Sequence, residues 1–423
     1  MSEVLEKGKK AKLAARRLTS YSEADRQEAL HAIAAALLDE KQRILEANEA
    51  DVSAAVESGM PESLIDRLKL TEERLLHIAE ACKAVASLPN PLSSDPRSWE
   101  RPNGLVISEW KVPLGVVGVI YEARPNVTVD ISALALKTGN AVLLRGSSST
   151  IHSNKQIVDV IRKAAAGAGY PEDAVQLIEN TDRSLTNELF QARGLVDVLI
   201  PRGSKKLIDT VVEKSLVPVI ETGAGNCHMY IDAQADVRLA RTLAVDAKVQ
   251  RPSVCNAIEN LVIHREWAMS HLSSVINDME LHGVTVTGCE TACRMDARIQ
   301  PASPEDFEQE FNDLKITVKI AEDIYEALDH ISTYTTNHSE AIITPDQAHA
   351  DLFFERIDAA ALYHNASTRF TDGEEFGYGA EVGISTQKLH ARGPMGLDAL
   401  TTWKYILQGN GQQKGSLPLS EEK

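Results

Sequence analysis

The sequence predicts an α/β fold built from two doubly wound domains. The chain has 423 residues, which is longer than a single hydrophobic core usually grows, so two large domains are expected. From about residue 105 onward, short apolar runs typical of strands alternate with segments typical of amphipathic helices. Parallel strands joined by crossover helices produce this alternation, and they form doubly wound sheets.

The first hundred residues are predicted to form helices that lead into the first domain. Leu30, Ile33, Leu37, Ile44 and Leu45 recur near a 3.6-residue period, with charged residues between them. Pro, Ser, Asn and Asp between residues 89 and 102 end that pattern. Strands are then predicted at 105–107, 116–121, 141–144, 196–200 and 217–220, with helices at 152–166 and 205–212.

A second α/β unit is predicted after Asp232. It contains helices over 237–249 and 267–281 and strands over 257–263 and 284–287. The chain becomes rich in glycine between residues 373 and 396, and the tail from Gly409 to Lys423 has no periodicity. We expect this tail to be mobile or to lie against a neighbouring subunit.

Composition excludes several classes of function. Acidic residues outnumber basic ones by 61 to 44, and the net charge of -17 argues against binding to nucleic acid phosphates. No apolar run is long enough to cross a bilayer, and the first 17 residues lack the apolar core of a signal peptide. Five scattered cysteines indicate a reducing compartment rather than a disulfide framework. A cytoplasmic protein without a membrane or nucleic acid partner is therefore predicted.

A metal site is not expected from the sequence. Cys289 and Cys293 are four residues apart, but no second pair of cysteines or histidines with suitable spacing accompanies them. His330, His338 and His390 do not have a ligand spacing either, so hydrogen bonding is the predicted role of these histidines.

Two short turns rich in Gly and Ser each follow a predicted strand and lead into a helix. Free backbone N–H groups and the helix dipole favour an anion there, such as a cofactor phosphate, although tight turns also need Gly and Ser for backbone reasons. The first turn offers a cation and hydroxyls but no carboxylate, which favours NADP(H) over NAD(H). The predicted cofactor-binding residues in these turns are Arg145, Gly146, Ser147, Ser148, Gly203 and Ser204.

Cys255 lies between a predicted helix and a predicted strand. In such a loop a thiol can reach a cleft, and its pKa can fall below the usual value of about 8.5. Free cysteine is also among the residues most often buried in protein cores. Position alone therefore supports a nucleophile and a buried structural residue equally.

The order of motifs along the chain resembles the aldehyde dehydrogenase superfamily. The motifs are Pro113–Gly118, Thr138–Val142, Gly203–Ser204, Glu221–Gly225 and Cys255. The stretches 329–342 and 388–397, the latter reading Lys-Leu-His-Ala-Arg-Gly-Pro-Met-Gly-Leu, are similar to the γ-glutamyl phosphate reductases (glutamate-5-semialdehyde dehydrogenases) of proline biosynthesis. Together these motifs cover most of the chain.

The resemblance implies NADPH-dependent reduction of L-glutamyl 5-phosphate to L-glutamate 5-semialdehyde and phosphate. It makes Cys255 the nucleophile that displaces phosphate to form a thioester, which a hydride then reduces. Asn126 is implied as the donor to the thiohemiacetal oxyanion, although Arg124 stands at the superfamily's usual distance from Gly118. Glu310 is implied as a ligand of the nicotinamide ribose.

The segment 364–370 matches the part of the family that faces substrate. A substrate with a phosphate and a carboxylate requires arginine together with short hydroxyl and amide donors, although turn chemistry accounts for the same residue types. The predicted substrate-binding residues are Arg124, Asn365, Ser367, Thr368 and Arg369. Glu221 corresponds to the general base of hydrolytic members, for which an acyl-phosphate reductase has no use.

The resemblance also implies three structural parts and a symmetric homo-oligomer. The predicted cofactor-binding domain comprises residues 1–103, 114–229 and 366–394, and the catalytic domain comprises residues 230–365. Residues 104–113 and 395–423 are predicted to form the oligomerisation element and tail. Glutamate 5-kinase is the implied channelling partner. Two alternatives stay open: another aldehyde dehydrogenase, for example one linked to coenzyme A, or a thiol hydrolase with the same cysteine, and a non-catalytic nucleotide-binding relative.

Overall fold

The structure, a computed structural model, describes residues 2–415. Its α-helices are α1 (Glu3–Leu18), α2 (Glu23–Asp39), α3 (Lys41–Glu57), α4 (Glu62–Leu68), α5 (Glu72–Ser87), α6 (Asn126–Lys137), α7 (Ile151–Gly167), α8 (Arg183–Phe190), α9 (Lys205–Lys214), α10 (Val237–Val249), α11 (Arg265–Leu281), α12 (Glu290–Met295), α13 (Ile324–Tyr334) and α14 (Gln347–Arg356). Its strands are β1 (Arg97–Glu100), β2 (Val106–Pro113), β3 (Val116–Tyr121), β4 (Ala141–Arg145), β5 (Val175–Leu177), β6 (Val198–Arg202), β7 (Cys227–Ile231), β8 (Ile258–His264), β9 (Thr285–Gly288), β10 (Gln300–Pro301), β11 (Lys315–Ala321), β12 (Ser339–Ile343), β13 (Ala361–His364), β14 (Ile384–Ser385), β15 (Gly393–Pro394) and β16 (Thr401–Gln408).

Five helices precede the first strand, as the periodicity predicted. The apolar residues that define it in α2 and α3, Leu30, Ile33, Leu37 and Ile44, are all at most 1% exposed. Ser22 fixes the start of α2, because its hydroxyl accepts a hydrogen bond from the Asp25 N–H at 3.2 Å while the Asp25 carboxylate accepts one from the Ser22 N–H at 2.7 Å.

The first sheet has four parallel strands in the order β5-β4-β3-β6, and α1, α6, α7 and α9 contact it. All residues of β3 and β4 are buried, as expected for a parallel sheet covered by helices. The predicted strand over 217–220 is reduced to one bridge between Leu199 and Val219. Pro218 has no N–H to donate, which prevents a longer ladder there.

The second sheet has seven parallel strands in the order β10-β9-β11-β8-β7-β12-β13. β7 begins at Cys227 and is buried throughout, so the predicted domain boundary between residues 229 and 230 falls inside a strand of this sheet. The passage from one sheet to the other lies instead in the glycine-containing segment before Cys227, where the chain has no helix or strand.

β1, β2 and β16 form a separate antiparallel ribbon of three strands. Residues 97–100 belong to it, although they lie outside the predicted oligomerisation element. Met395, Leu397 and Leu400, which were predicted to belong to that element, are buried in the core of the first domain instead. Residues 416–423 of the predicted tail lie outside the described residues.

No helix in the described part of the chain is long and apolar enough to cross a membrane. Across residues 2–415, no group of three or more His, Cys, Asp or Glu side chains is arranged to hold a metal ion.

Candidate active site

Cys255 lies in the turn between α10 and β8, at the edge of the second sheet where β7 and β8 begin. The backbone at Gly225 runs against it so closely that a Cβ on residue 225 would stand 1.5 Å from the Cys255 carbonyl oxygen. The Cys227 thiol donates to the same oxygen over 3.2 Å. The backbone of Cys255 is thus held by its neighbours, and only glycine fits at position 225.

Burial raises the pKa of the Cys255 thiol to about 12. The carboxylates of Glu381 and Glu310 also raise this pKa, whereas the guanidinium groups of Arg202 and Arg124 lower it. The sequence suggested a lowered pKa for a cysteine in a loop. That expectation is wrong for this thiol, because protein atoms from both domains surround the loop and disfavour the thiolate.

A group of arginines faces Cys255 from the first domain and from its own loop. Arg124 follows β3, and Arg202 is the last residue of β6, so both stand where parallel strands end. Burial, together with the charges of Arg202, Arg67 and Arg251, lowers the pKa of Arg124 to about 10. Arg67 also donates to the Ser253 carbonyl over 2.9 Å. The site is therefore strongly electropositive within an acidic protein.

Asn126, the predicted oxyanion donor, begins α6 and donates to Asp130 Oδ2 over 3.0 Å. Burial raises the pKa of Asp130 to about 6, and the hydrogen bond from Asn126 acts in the opposite direction. The amide of Asn126 therefore has a carboxylate partner on its own helix, and no hydrogen bond joins it to Cys255 in the described residues.

Most of the predicted substrate-binding residues in 364–370 support the backbone. Asn365, whose φ is 55°, accepts from the Thr344 N–H at 3.0 Å and donates to the Thr344 carbonyl at 2.9 Å. Ser367 caps the short helix that follows it by accepting from the Arg369 N–H at 3.3 Å. The turn chemistry considered for this segment accounts for both residues.

Thr368 and Arg369 connect this segment to the cysteine loop. Thr368 Oγ1 donates to the Asn256 carbonyl over 2.6 Å. The Arg369 guanidinium donates to Gln250 Oε1 over 2.9 Å and to the Asn256 side chain. Mainly through burial, the pKa of Arg369 is lowered, and the Cys255 charge acts in the opposite direction. Of the five predicted substrate ligands, Arg124 and Arg369 are thus the two that the structure brings near the thiol.

In both predicted phosphate-binding turns, a carboxylate already occupies the start of the helix. Asp51 accepts from the His152 and Ser153 N–H groups at the start of α7, over 3.2 and 2.8 Å. Glu122 accepts from the Ser204 N–H at the start of α9 over 2.7 Å, and from its hydroxyl over 2.9 Å. Neither acid could be recognised as a cap from the local sequence, because each belongs to an element other than the helix that it caps.

In the first of these two turns, residues 145–148, the first two residues are buried and the two serines are accessible. Arg145 is buried, and its guanidinium donates to the Asp182 carbonyl over 3.1 Å. Gly146 is required for packing, since a Cβ there would stand 2.2 Å from Asn154 Nδ2. Ser148 is exposed, and the partly exposed Ser147 hydroxyl accepts from the Ser149 N–H over 3.2 Å.

Residues 2–315 match the family model described as the aldehyde dehydrogenase family. The chain belongs to the aldehyde dehydrogenase family. It is 54% identical to a protein of Bacillus cereus named gamma-glutamyl phosphate reductase. The 412 aligned residues cover 97% of this chain and 99% of that protein. A solved structure of the same name from Thermotoga maritima superposes with a TM-score of 0.94 at 45% identity, covering 98% of this chain and 100% of that one. The predicted resemblance is confirmed.

The fold is shared more widely among aldehyde dehydrogenases. A propionaldehyde dehydrogenase of Rhodopseudomonas palustris, solved with bound CoA and an acylated cysteine, superposes with a TM-score of 0.72 at 17% identity, covering 96% of this chain and 97% of that one. At that identity the likeness shows the fold alone. Membership of the aldehyde dehydrogenase family implies a nicotinamide cofactor.

Two glutamates that correspond to aldehyde dehydrogenase motifs take different positions. Glu310 Oε1 accepts from the Gly225 N–H over 3.0 Å, which places this carboxylate beside the backbone that supports Cys255. The backbone N–H of Glu221 donates to Gln387 Oε1 over 3.1 Å, and its side chain is partly exposed. Of the two acids, Glu310 is the one whose charge acts on the Cys255 thiol.

Sequence reasoning missed three arginines of this site. Arg202, the last residue of β6, and Arg251, in the loop before Cys255, stand beside segments that were singled out, but their charge was not connected to the site. Arg67 belongs to α4, more than 180 residues before Cys255 in the chain, and nothing in its local sequence indicates a role.

Proposed function

We propose that the chain reduces L-glutamyl 5-phosphate to L-glutamate 5-semialdehyde and phosphate, with NADPH as reductant and Cys255 as acyl carrier. The observation that carries this proposal is a group of arginines beside Cys255: the charges of Arg124 and Arg202 act on the thiol, and those of Arg67 and Arg251 act on Arg124. The relatives that share about half of the residues of the chain carry the name of that activity.

The arginines suit a substrate with two anionic ends. Guanidinium groups bind carboxylate and phosphate with two parallel hydrogen bonds, and buried charges strengthen these contacts. Arg124 and Arg202 approach the thiol from the first domain and Arg369 approaches it from the second, while the charge of Arg251 acts on both Arg124 and Arg369. A glutamyl phosphate held across this gap presents its acyl carbon to Cys255.

The first step breaks an acyl–oxygen bond and forms a thioester. The Cys255 sulfur attacks the acyl carbon as its proton passes to the departing phosphate, which leaves with both electrons of the C–O bond. Positive charge from Arg202 and Arg124 stabilises the thiolate and the departing phosphate alike. With a pKa of about 12 for the thiol, only a small fraction is thiolate at neutral pH, so deprotonation is coupled to attack.

A bound nicotinamide supplies the hydride that reduces the thioester carbonyl. The Gly225 backbone lies against the Cys255 backbone and positions it for that step, and Glu310 beside it is the residue proposed to hold the nicotinamide ribose. When the C–S bond breaks, the aldehyde leaves and Cys255 regains a proton. Asn126 stays the predicted oxyanion donor, and in that role its amide must turn from Asp130 towards the thioester oxygen.

The preference for NADPH rests on the hydroxyls of Ser147 and Ser148, in a turn that carries no carboxylate of its own. Gly146, Gly203 and Ser204 are proposed to line the same cofactor site. Arg145 supports this turn through its bond to the Asp182 carbonyl. Asp51 and Glu122 already cap the adjoining helices, so the residues of the turns themselves, rather than the capped N–H groups of Ser153 and Ser204, would hold a cofactor phosphate.

Assembly is part of the proposal. The antiparallel ribbon exposes Trp110, Trp403, Tyr405 and Leu407, and we propose that it joins copies of the chain into a homo-oligomer. Delivery of the acyl phosphate by glutamate 5-kinase is the proposed source of substrate. The mass of the assembly by light scattering, with and without that kinase, tests both statements.

Activity in the reverse direction tests the proposed reaction. Purified protein is given glutamate 5-semialdehyde, phosphate and NADP⁺, and the absorbance of NADPH is followed for the chain and for Cys255→Ser. We expect phosphate-dependent turnover that Cys255→Ser lacks, and slower turnover with NAD⁺. Turnover that requires coenzyme A instead of phosphate, hydrolysis without cofactor, or binding of NADPH without any turnover would each replace the proposal with one of the alternative functions.

A further inference from the structure

A second electropositive cleft lies away from Cys255. It has a volume of about 590 Å³ and is bounded by α1, the start of α2, the base of the ribbon and Leu114–Gly115. These last residues precede β3, whereas Arg124 follows the other end of that strand. Six residues of strand separate the two ends by about 20 Å. The cleft is therefore distinct from the candidate active site.

The side chains that line this cleft carry a net positive charge, whereas the chain as a whole is negative. Acidic residues outnumber basic ones overall, but the cleft is lined by five basic and only two acidic side chains. The basic residues are Lys12, Arg16, Arg26, Lys111 and Lys404, and the acidic ones are Glu23 and Asp197. An excess of this sign in a concave surface attracts small anions.

Both acidic side chains already have partners. Asp197 binds Lys12 through both oxygens, at 2.6 and 2.7 Å, and also accepts from the Val116 N–H at 2.8 Å. Glu23 binds the buried Lys137 and accepts from Asn90 Nδ2 at 2.8 Å. Neither carboxylate is left to neutralise the remaining positive charge in the cleft.

Three of the five basic side chains have no acidic partner. Lys12 is paired with Asp197, and Lys111 is paired with Asp398. Among the residues that the structure describes, no carboxylate lies within 4.0 Å of the charged groups of Arg16, Arg26 or Lys404; the last belongs to the ribbon strand β16.

Arg26 is the member of this group that most needs a ligand. It is 6% exposed, its Nη2 reaches the Leu18 carbonyl over a long 3.4 Å, and its buried Nε has no acceptor in residues 2–415. Arginine cannot lose its charge in a protein, and burying that charge without an anionic partner is unfavourable even where neutral groups such as the Leu18 carbonyl and the Tyr170 hydroxyl lie beside it. An anion in the cleft supplies the missing partner.

We propose that this cleft binds a small organic polyanion, with phosphate or carboxylate groups, and that Arg26 is its central contact. Arg16 brings a charge from α1, and Lys404 brings one from the ribbon. Such a ligand therefore connects the first domain to the base of the ribbon. The volume of the cleft suits a metabolite rather than a single inorganic ion.

Calorimetric titration of the full chain with pyrophosphate and, separately, with citrate tests this inference at constant ionic strength. Arg26→Gln keeps a donor for Leu18 and is compared with Arg17→Gln, an exposed arginine of α1 outside the cleft. We expect saturable binding of at least one probe that Arg26→Gln weakens roughly 10- to 100-fold, the value of a charge-assisted hydrogen bond, and that Arg17→Gln leaves unchanged. Tighter binding of one probe identifies phosphate or carboxylate as the preferred group.

A second pair of variants separates the cleft from the active site and from loss of folding. Arg16→Gln combined with Lys404→Gln changes only exposed side chains and should also weaken binding, whereas Arg124→Gln should not. Absence of saturable binding for both probes, or equal affinity in Arg26→Gln and in the chain, overturns the inference. So does binding that only Arg124→Gln removes, because it places the anion beside Cys255.

Discussion

Replacing Gly225 by alanine tests how tightly the backbone holds the nucleophile. The added Cβ would stand 1.5 Å from the Cys255 carbonyl oxygen and 2.6 Å from its Cα, whereas unstrained contacts begin near 3.4 Å. The cysteine loop must therefore retreat by about 2 Å. A displacement of 1 Å at a reacting group costs roughly 100-fold in rate, so we expect kcat/KM to fall by at least that factor.

Gly167→Ala is the matched control for this substitution. Gly167 is the last residue of α7, and a Cβ there meets no atom within 4 Å. Its activity should equal that of the unchanged chain. Initial rates are measured in the direction of NADPH formation, with urea unfolding of each variant alongside. If Gly225→Ala keeps its activity within threefold, the close approach does not position Cys255 and this reasoning is refuted.

Three further predictions concern charge. Arg124→Gln should lower kcat/KM for the phosphorylated substrate roughly 10- to 100-fold, measured against Arg17→Gln, and equal rates would contradict the role of Arg124 in substrate binding. Burial raises the pKa of Glu381 to about 7, so the stability that this carboxyl contributes is present below its usual pKa and is lost as the pH rises through 7. In urea unfolding, Glu381→Gln should therefore lose less stability between pH 5 and pH 8 than the unchanged chain does. Parallel curves of stability against pH for the two proteins would contradict this. Lys248→Met leaves the buried Glu259 unpaired and should lower the free energy of unfolding in urea by roughly 3–5 kcal/mol. The double variant Lys248→Met with Glu259→Met should recover much of that loss. A single variant as stable as the unchanged chain would show that the pair is unimportant.

The parts of the fold that depend on local pattern were predictable. The run Val116–Tyr121 was predicted with its bounds, because every residue of that strand is buried and apolar or glycine. The boundary between the domains was not, because β7 begins with Cys227 and His228, which lack the apolar β-branched side chains typical of a buried strand. A strand shows which sheet it joins only through its partners.

The residues of the candidate site were likewise predictable only where a local sequence pattern marks them. Cys255 was singled out because a motif surrounds it, and the structure brings Arg124 and Arg369 near it, while their roles stay predictions. Asp51 and Glu122 cap the two cofactor turns from elements distant in sequence, and no local pattern indicates a cap of that kind. The direction of the pKa shift of Cys255 also depends on burial by both domains, which sequence position does not give.

Trapping the acyl enzyme tests most directly the central claim that Cys255 carries the acyl group. The chain is mixed with glutamate 5-semialdehyde and NADP⁺ without phosphate, so that the thioester has no acceptor except water. Mass spectrometry should then find a glutamyl group on the peptide that contains Cys255, in step with one NADPH formed per active chain, and phosphate should remove it. A burst of NADPH without this adduct, or an adduct on another residue, would contradict the claim.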